Sequence, residues 1–176
     1  MPLLQSFYFN HLLLLSDATK QKFVDALVKM LSDEQVDLRQ IAAVTLTDII
    51  KCSPASLLTD LLDKFIVRCK KPTSTSGKEV TPEFYALAIR RRHSAVLGLA
   101  SLVMAHPYDI PDWMPEALML IAGAHADPSP IDVTVKRVFA EFKRTHSDRW
   151  HEDKYKFTSD QRDMLTDMLV SPSYYA

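Results

Sequence analysis

Apolar residues recur at intervals of three and four along nearly the whole chain of 176 residues, which is the spacing of one face of an α-helix. One such face runs from Phe23 through Leu27 to Leu31, and another runs from Val135 to Phe142. The chain contains only 3 glycines, and a low glycine content also favours helices. We therefore predict an all-α fold.

Polar and proline-containing breaks divide this pattern into separate helices. Ser16 is placed to cap one helix, the stretch from Asp33 to Val36 separates that helix from the next, and Thr81-Pro82 begins a later one. A final helix is predicted after Thr158. This helix bears Met164, Leu165, Met168 and Leu169.

The order of elements from Phe23 to Ile50 is that of a HEAT repeat, with Asp33 and Arg39 at the positions of its turn-stabilising pair. The same order returns around Asp127, 94 residues after Asp33, which is two repeats of about 47 residues. The apolar faces are wide enough to contact neighbours on two sides, and this favours a solenoid over a compact bundle. The predicted buried side of the second helix consists of Val36, Ile41, Ala42, Val44, Leu46, Ile49 and Ile50.

We predict a HEAT/armadillo-like α-solenoid fragment over residues 1–170, with two to three helix pairs, followed by a tail over residues 171–176. The stretch from Lys70 to Lys78 has no apolar residue, which predicts a mobile loop near 71–80. The opening segment is apolar on nearly every face, with Leu3, Phe7 and Leu12 among its residues. We expect Met1 to begin a piece of a larger superhelix, of which this chain forms the C-terminal end.

Composition and charge exclude several classes of protein. The net charge is −1, so no global field attracts the chain to nucleic acid or to a membrane surface. Cys52 and Cys69 have no further partners, so their number and spacing indicate neither a disulfide framework nor a zinc site. The longest apolar run, from Leu12 to Leu15, is far too short to cross a bilayer. We expect a soluble intracellular protein with no direct binding to nucleic acid or membranes.

No catalytic motif is found in the sequence: neither a nucleophile elbow, a phosphate-binding loop, an HExxH helix nor a paired CxxC occurs. The six histidines are scattered, and His146 and His151 are five residues apart, which places them on different helix faces. We predict that each histidine lies at the surface or caps a helix. The sequence therefore predicts a protein that is not an enzyme and that needs no cofactor.

A basic cluster, Arg90-Arg91-Arg92, precedes His93. One interpretation is a solvated face whose arginines pair with nearby carboxylates. The other is an anion-binding site. The pattern alone leaves both open.

The last six residues, Ser171-Pro172-Ser173-Tyr174-Tyr175-Ala176, form a tail behind a proline that cannot continue the preceding helix. Such a tail is apolar and aromatic with an anionic tip, which suits insertion into a pocket on another protein. The alternative is a frayed terminus with two surface tyrosines.

Three stretches resemble, in the same order, the C-terminal region of the proteasome activator complex subunit 4 family: Arg92 to Leu99, Pro107 to Pro115, and Leu169 to Ala176. The resemblance covers most of Arg90 to Ala176 and, more loosely, Leu27 to Cys52. Members of this family are very large single-chain HEAT-repeat caps of the 20S proteasome. The resemblance therefore implies a solenoid whose partners are the α subunits of the 20S core.

The resemblance also implies specific roles. In the family, a final hydrophobic-tyrosine-any residue motif docks between α subunits, promoting gate opening and peptide hydrolysis; here the motif is Tyr174, Tyr175 and Ala176. The family implies a location in the nucleus and cytoplasm and a part in DNA repair. Its caps hold inositol phosphates in basic-lined openings, although those ligands do not map onto Arg90, Arg91 and Arg92.

A bromodomain-like segment that binds acetylated histones has also been assigned to the family, and the matching stretch would fall near Cys52 to Arg92. A bromodomain anchors acetyl-lysine with an asparagine amide. Asn10, the one asparagine of this chain, lies outside that stretch. This departure counts against the acetyl-lysine alternative.

Overall fold

The computed structural model describes residues 2–70 and 81–169, and each element within these ranges is a helix. This confirms the all-α prediction. The predicted mobile loop at 71–80 and the tail at 171–176 lie outside the described residues. In chain order the helices are α1 (Pro2–Asn10), α2 (Asp17–Met30), α3 (Val36–Lys51), α4 (Ala55–Lys70), α5 (Pro82–Met104), α6 (Met114–Ala122), α7 (Ile131–His146), α8 (Trp150–Asp153), a 3₁₀ turn (Lys154–Lys156) and α9 (Ser159–Leu169).

Short polar side chains start three of these helices, as predicted. The hydroxyls of Ser16 and Thr81 each accept a hydrogen bond from the backbone N–H three residues later, at 3.3 and 3.2 Å. Before α9, Thr158 and Gln161 form a reciprocal capping box, with side-chain-to-backbone distances of 3.3 and 2.9 Å. Because these side chains satisfy otherwise unpaired backbone donors, the sequence fixes where each helix begins.

The helices stack as successive pairs around α5. Helix α2 packs on α3, α4 packs on α5, and α3 and α7 flank α5 on two sides. Helices α4 and α6 contact each other as well as α5, and α9 packs on α6 and α7. The α4–α5 pair therefore contacts α3 of the pair before it and both α6 and α7 after it, which is the solenoid-like arrangement that the repeat pattern predicted.

Helix α5 is the centre of this stack. Every residue from His93 to Val103 is buried, as expected for a helix that is covered on all sides. At Gly98 the packing with α4 is closest, because a Cβ there would lie 2.3 Å from ring atoms of Phe65. The absence of a side chain at this glycine lets the aromatic ring, itself 0% exposed, pack against the α5 backbone.

The predicted buried side of α3 was wrong at two positions. On α3, Ile41 and Val44 are 44% and 50% exposed, while Arg39 and Thr45 take buried positions instead. On α9, Met164 is 43% exposed, and Leu165 is the buried residue. The reason is geometric: each helix packs its neighbours along a stripe narrower than its set of apolar residues, and polar side chains with partners occupy part of that stripe.

The first helix is the least covered. Tyr8 of α1 is fully buried, but Leu3 and Phe7 are 88% and 50% exposed, and Leu13 and Leu14 in the following turn are also largely exposed. Leu12 of the same opening segment is half-buried and packs against the core. Among the described helices, none combines the length and the apolar character needed to cross a membrane.

Candidate functional site

The tail predicted to dock on a partner, Tyr174, Tyr175 and Ala176, lies outside the described residues. The helix that leads to it is firmly placed. Leu165 of α9 is fully buried, and the Lys143 ammonium on α7 donates a hydrogen bond to the backbone carbonyl of Leu169 at 3.1 Å. A cation at the carbonyl end of a helix is electrostatically favourable. The described chain therefore ends in a helix anchored to α6 and α7.

The arginine cluster lies on α5, between two turns that carry carboxylates. Arg90 pairs with Glu34 at 3.0 Å, and Arg92 pairs with Asp127 at 2.9 Å. Arg92 also donates to the backbone carbonyl of Cys69 at the end of α4. Arg91 is exposed and has no carboxylate partner within 2–70 and 81–169. Two of the three arginines thus make the carboxylate pairs of the first interpretation, and the anion site stays a prediction.

A buried polar network lies directly beneath this cluster. Arg39, His93 and Thr134 are 4%, 0% and 2% exposed. The Arg39 Nε atom donates to Nδ1 of His93 at 3.0 Å, and Nε2 of His93 lies 2.9 Å from the Thr134 hydroxyl. These three residues connect α3, α5 and α7 through the core.

The charge state of this network follows from its surroundings. Burial, together with the nearby positive charges of Arg39 and Arg137, lowers the pKa of His93 from 6.5 to about 4. Burial also lowers the pKa of Arg39, with the charge of Arg90 as a second cause. His93 is therefore neutral at physiological pH, so it can accept a hydrogen bond from the guanidinium.

The prediction that every histidine is at the surface or caps a helix was wrong for His93, which is buried within α5. His146 is buried as well, but it ends α7 and its Nδ1 lies 3.1 Å from the Phe142 carbonyl in the last turn, which is a capping position. The His146 side chain is 3% exposed and stacks on Phe142 with ring centroids 4.4 Å apart. Both positions follow a helical apolar spacing, and that is the sequence signal that indicated burial. The spacing between histidines tests only whether they could bind a metal ion together. It cannot show that a histidine is buried with a polar partner.

The predicted pair of Asp33 and Arg39 stabilises the turn, but through backbone groups. Arg39 Nη1 donates to the carbonyl oxygens of Asp33 and Glu34 at 2.7 and 3.1 Å. The Asp33 carboxylate instead accepts the backbone N–H of Gln35 at 2.9 Å. Arg39 thus pairs two backbone acceptors of the turn between α2 and α3.

The described part of the chain offers few groups that could bind a metal ion or act as a nucleophile. Within 2–70 and 81–169, no group of three histidine, cysteine, aspartate or glutamate side chains is arranged to hold a metal ion. Cys52 is exposed and Cys69 is buried, and burial raises the pKa of Cys69 to about 11. A deeply buried thiol of this kind is protonated and unreactive.

The acetyl-lysine alternative requires an asparagine in the stretch from Cys52 to Arg92, and that stretch contains none. Within this stretch the structure describes α4 and the first part of α5, and an open cleft beside the start of α4 is lined in part by Ser53, Leu57 and Asp60. Asn10 is exposed at the end of α1 and does not line this cleft. Acetyl-lysine binding stays a prediction.

The fold and its repeated helix pairs define an α-solenoid protein, and comparison with known proteins identifies the family. The family model described as "Proteasome activator complex subunit 4-like, C-terminal" matches residues 89–176. The chain is 40% identical over 174 residues to proteasome activator complex subunit 4A of Danio rerio, covering 96% of this chain and 10% of that protein.

Two further relatives give the same result. Proteasome activator complex subunit 4 of Homo sapiens is 37% identical over 96% of the chain and 9% of its own length. Proteasome activator subunit 4 of Arabidopsis thaliana is 35% identical over 98% of the chain and 9% of its own length. The chain belongs to the proteasome activator complex subunit 4 family, which confirms the resemblance, and it spans about a tenth of the length of these curated relatives.

Proposed function

We propose that this chain docks a proteasome activator on the end ring of the 20S core through Tyr174, Tyr175 and Ala176, and that docking promotes gate opening and peptide hydrolysis. The observation that carries the proposal is the family match over residues 89–176, because it includes the whole tail. The relatives that match nearly the full chain are named proteasome activators. The role is regulatory, and the chain itself performs no catalysis.

Each tail residue has a distinct task in this proposal. The Ala176 carboxylate pairs with a lysine in a pocket between two α subunits, which supplies a charge-assisted hydrogen bond of about 1.5–3 kcal/mol. Tyr175 donates its hydroxyl to the pocket backbone and buries its ring, while Tyr174 packs at the rim. Pro172 restricts the chain before docking, so less conformational freedom is lost.

The anchored helix α9 supports this arrangement. Its buried Leu165 and the bond from Lys143 to the Leu169 carbonyl hold α9 against α6 and α7. A single tail of this size binds weakly by itself. The rest of the activator surface supplies the additional contacts, and the tail then binds at a high effective concentration.

The test is turnover of a fluorogenic peptide by 20S proteasome, measured against the concentration of the activator that carries this chain. Tyr175→Ala and deletion of Ala176 are expected to raise the concentration for half-maximal stimulation about tenfold or more, since about 1.4 kcal/mol corresponds to a factor of ten. Tyr155→Ala is the matched control, because Tyr155 is a tyrosine that is 75% exposed outside the tail. Equal stimulation by wild-type and tail variants at sub-saturating activator would overturn the proposal.

A further inference from the structure

The buried network of Arg39, His93 and Thr134, named here the clasp, has only one possible set of hydrogen-bond directions. A guanidinium Nε can only donate, so Nδ1 of His93 accepts and the ring proton lies on Nε2. Nε2 therefore donates to the Thr134 hydroxyl at 2.9 Å. The Thr134 hydroxyl gives its own proton to the carbonyl of Pro130 at 3.1 Å.

The clasp begins and ends on turns. At one end, Arg39 donates to the carbonyls of Asp33 and Glu34, in the turn between α2 and α3. At the other end, Thr134 donates to Pro130, in the turn between α6 and α7. A continuous line of directed hydrogen bonds therefore joins two turns that are about 95 residues apart, and it passes through α5 between them.

Three further contacts join α5 to the same two turns. Ser94 and Ser32 share a hydrogen bond at 2.9 Å. Arg90 pairs with Glu34, and Arg92 pairs with Asp127. The segment from Arg90 to Ser94 thus holds one turn on each side of α5, with buried bonds inside and ion pairs outside.

We propose that the clasp couples these two turns, so that loss of order at the turn 31–35 lowers the order of the turn 127–131, and the reverse. The physical reason is that His93 is held from both sides. Loss of Thr134 leaves the buried Nε2 donor unpaired, loss of Arg39 leaves the buried Nδ1 acceptor unpaired, and in either case the ring is free to reorient away from the other partner. Because α7 packs on α9, the same line connects the first turn to the helix that precedes the tail.

The chain offers a matched pair of threonines to test this coupling. Thr134 and Thr47 are both buried, and each hydroxyl donates to the carbonyl four residues earlier, at 3.1 and 3.0 Å. Only Thr134 also accepts from a histidine on a neighbouring helix. Thr134→Val therefore removes the clasp contact, whereas Thr47→Val removes an equivalent local bond.

Amide hydrogen exchange of the full chain, read by mass spectrometry at the two turns, is the measurement. For Thr134→Val we expect exchange to rise several-fold at residues 31–35 as well as at 127–131, and Thr134→Ser, which keeps the hydroxyl, is expected to restore both. Thr47→Val is expected to leave both turns as in the wild type. A rise confined to 127–131 in Thr134→Val would overturn the proposal.

The reverse direction tests the same coupling independently, since coupling between two sites is reciprocal. Arg39→Lys keeps the positive charge but lacks the Nε donor that reaches His93. It is expected to raise exchange several-fold at residues 127–131. If instead it affects only residues 31–35, or if Thr134→Ser fails to restore protection at 31–35, the two turns are not coupled through the clasp.

Discussion

The centre of α5 and the helix α1 have nearly the same apolar character but opposite surroundings. Every residue from His93 to Val103 on α5 is buried, because α3, α4, α6 and α7 all contact this helix. Helix α1 packs on α3, and its Leu3 remains 88% exposed. The apolar pattern of a helix predicts how much of its surface should be buried, but the positions of the neighbouring helices determine how much of it is buried.

Polar residues show the same contrast. On α5, His93 and Ser101 each have a fully buried hydrogen bond to α3: His93 pairs with Arg39, and the Ser101 hydroxyl donates to the Ala43 carbonyl at 3.0 Å. On α1, Gln5 bonds to Asp48 at a part-buried position. Hydrogen bonds that are fully removed from water specify how helices fit together more strictly than those at the surface. We therefore expect substitutions on the two helices to differ sharply in cost.

The largest expected difference is between two phenylalanines. Phe65 is 0% exposed against α5, whereas Phe7 on α1 is 50% exposed. Phe65→Ala is expected to lower the free energy of unfolding by about 3–5 kcal/mol, because it leaves a cavity in the core. Phe7→Ala is expected to cost less than about 1 kcal/mol. Urea denaturation of both variants measures the two values, and similar losses would contradict the comparison.

A smaller effect is expected from the titration of His93. Its pKa is lowered from 6.5 to about 4 by burial and by Arg39 and Arg137. Between pH 6.5 and 4, His93 therefore binds a proton in the unfolded chain but not in the folded chain. The free energy of unfolding falls as the pH drops through this range. The loss amounts to about 3 kcal/mol and is complete below pH 4.

The measurement for His93 is chemical denaturation across pH 4–7. His93→Gln is expected to flatten this pH dependence, since the amide does not titrate. The control is His11→Gln on the exposed side after α1, whose profile is expected to follow the wild type. A wild-type slope retained in His93→Gln would place the titrating group elsewhere.

Two glycines give the next contrast. A Cβ at Gly98 would lie 2.3 Å from ring atoms of the buried Phe65, whereas at Gly123 the nearest heavy atom is a backbone oxygen at 3.5 Å. Gly98→Ala is expected to destabilise the fold by about 1–3 kcal/mol through overpacking. Gly123→Ala is expected to be neutral within about 0.5 kcal/mol. Thermal unfolding of the pair checks both, and equal melting temperatures would show that the ring moves aside.

The sequence predicted the helices and their starts because local chemistry determines them. Ser16, Thr81 and Thr158 cap the helices that they precede, as their side chains indicated. The sequence could not predict which apolar residues face outward, such as Val44, because that depends on where neighbouring helices lie. Helical spacing indicated that His93 is buried, but the sequence could not show which groups pair with it there, because Arg39 and Thr134 are distant in the chain.

The candidate docking tail presents a different case. Its identification depended on the order of matching residues, and the family match over 89–176 supports the family assignment. Arg90 and Arg92 could be read as an anion site from sequence because their carboxylate partners, Glu34 and Asp127, lie on turns of other repeats. A cluster of arginines therefore predicts an anion-binding site only when the positions of the nearby carboxylates are known as well.

Substitutions in the turn after α1 are expected to have the smallest effect on the free energy of unfolding. They are expected to have the clearest effect on self-association. Leu13 and Leu14 are 96% and 82% exposed and lie in the same opening segment as the exposed Leu3 and Phe7. Scattered apolar side chains at a surface are normal, but a contiguous group promotes association. Replacing both leucines with glutamine is expected to change the free energy of unfolding by no more than about 0.5 kcal/mol.

The same double replacement is expected to reduce self-association, which sedimentation velocity over a range of concentrations measures. Val133→Gln is the control, because Val133 on α7 is 52% exposed and lies outside the opening segment. If the wild-type chain is strictly monomeric at high concentration, the exposed leucines do not mediate self-association. If it associates and the double variant associates equally, the surface responsible is elsewhere, and the contrast between α1 and α5 then concerns folding stability alone.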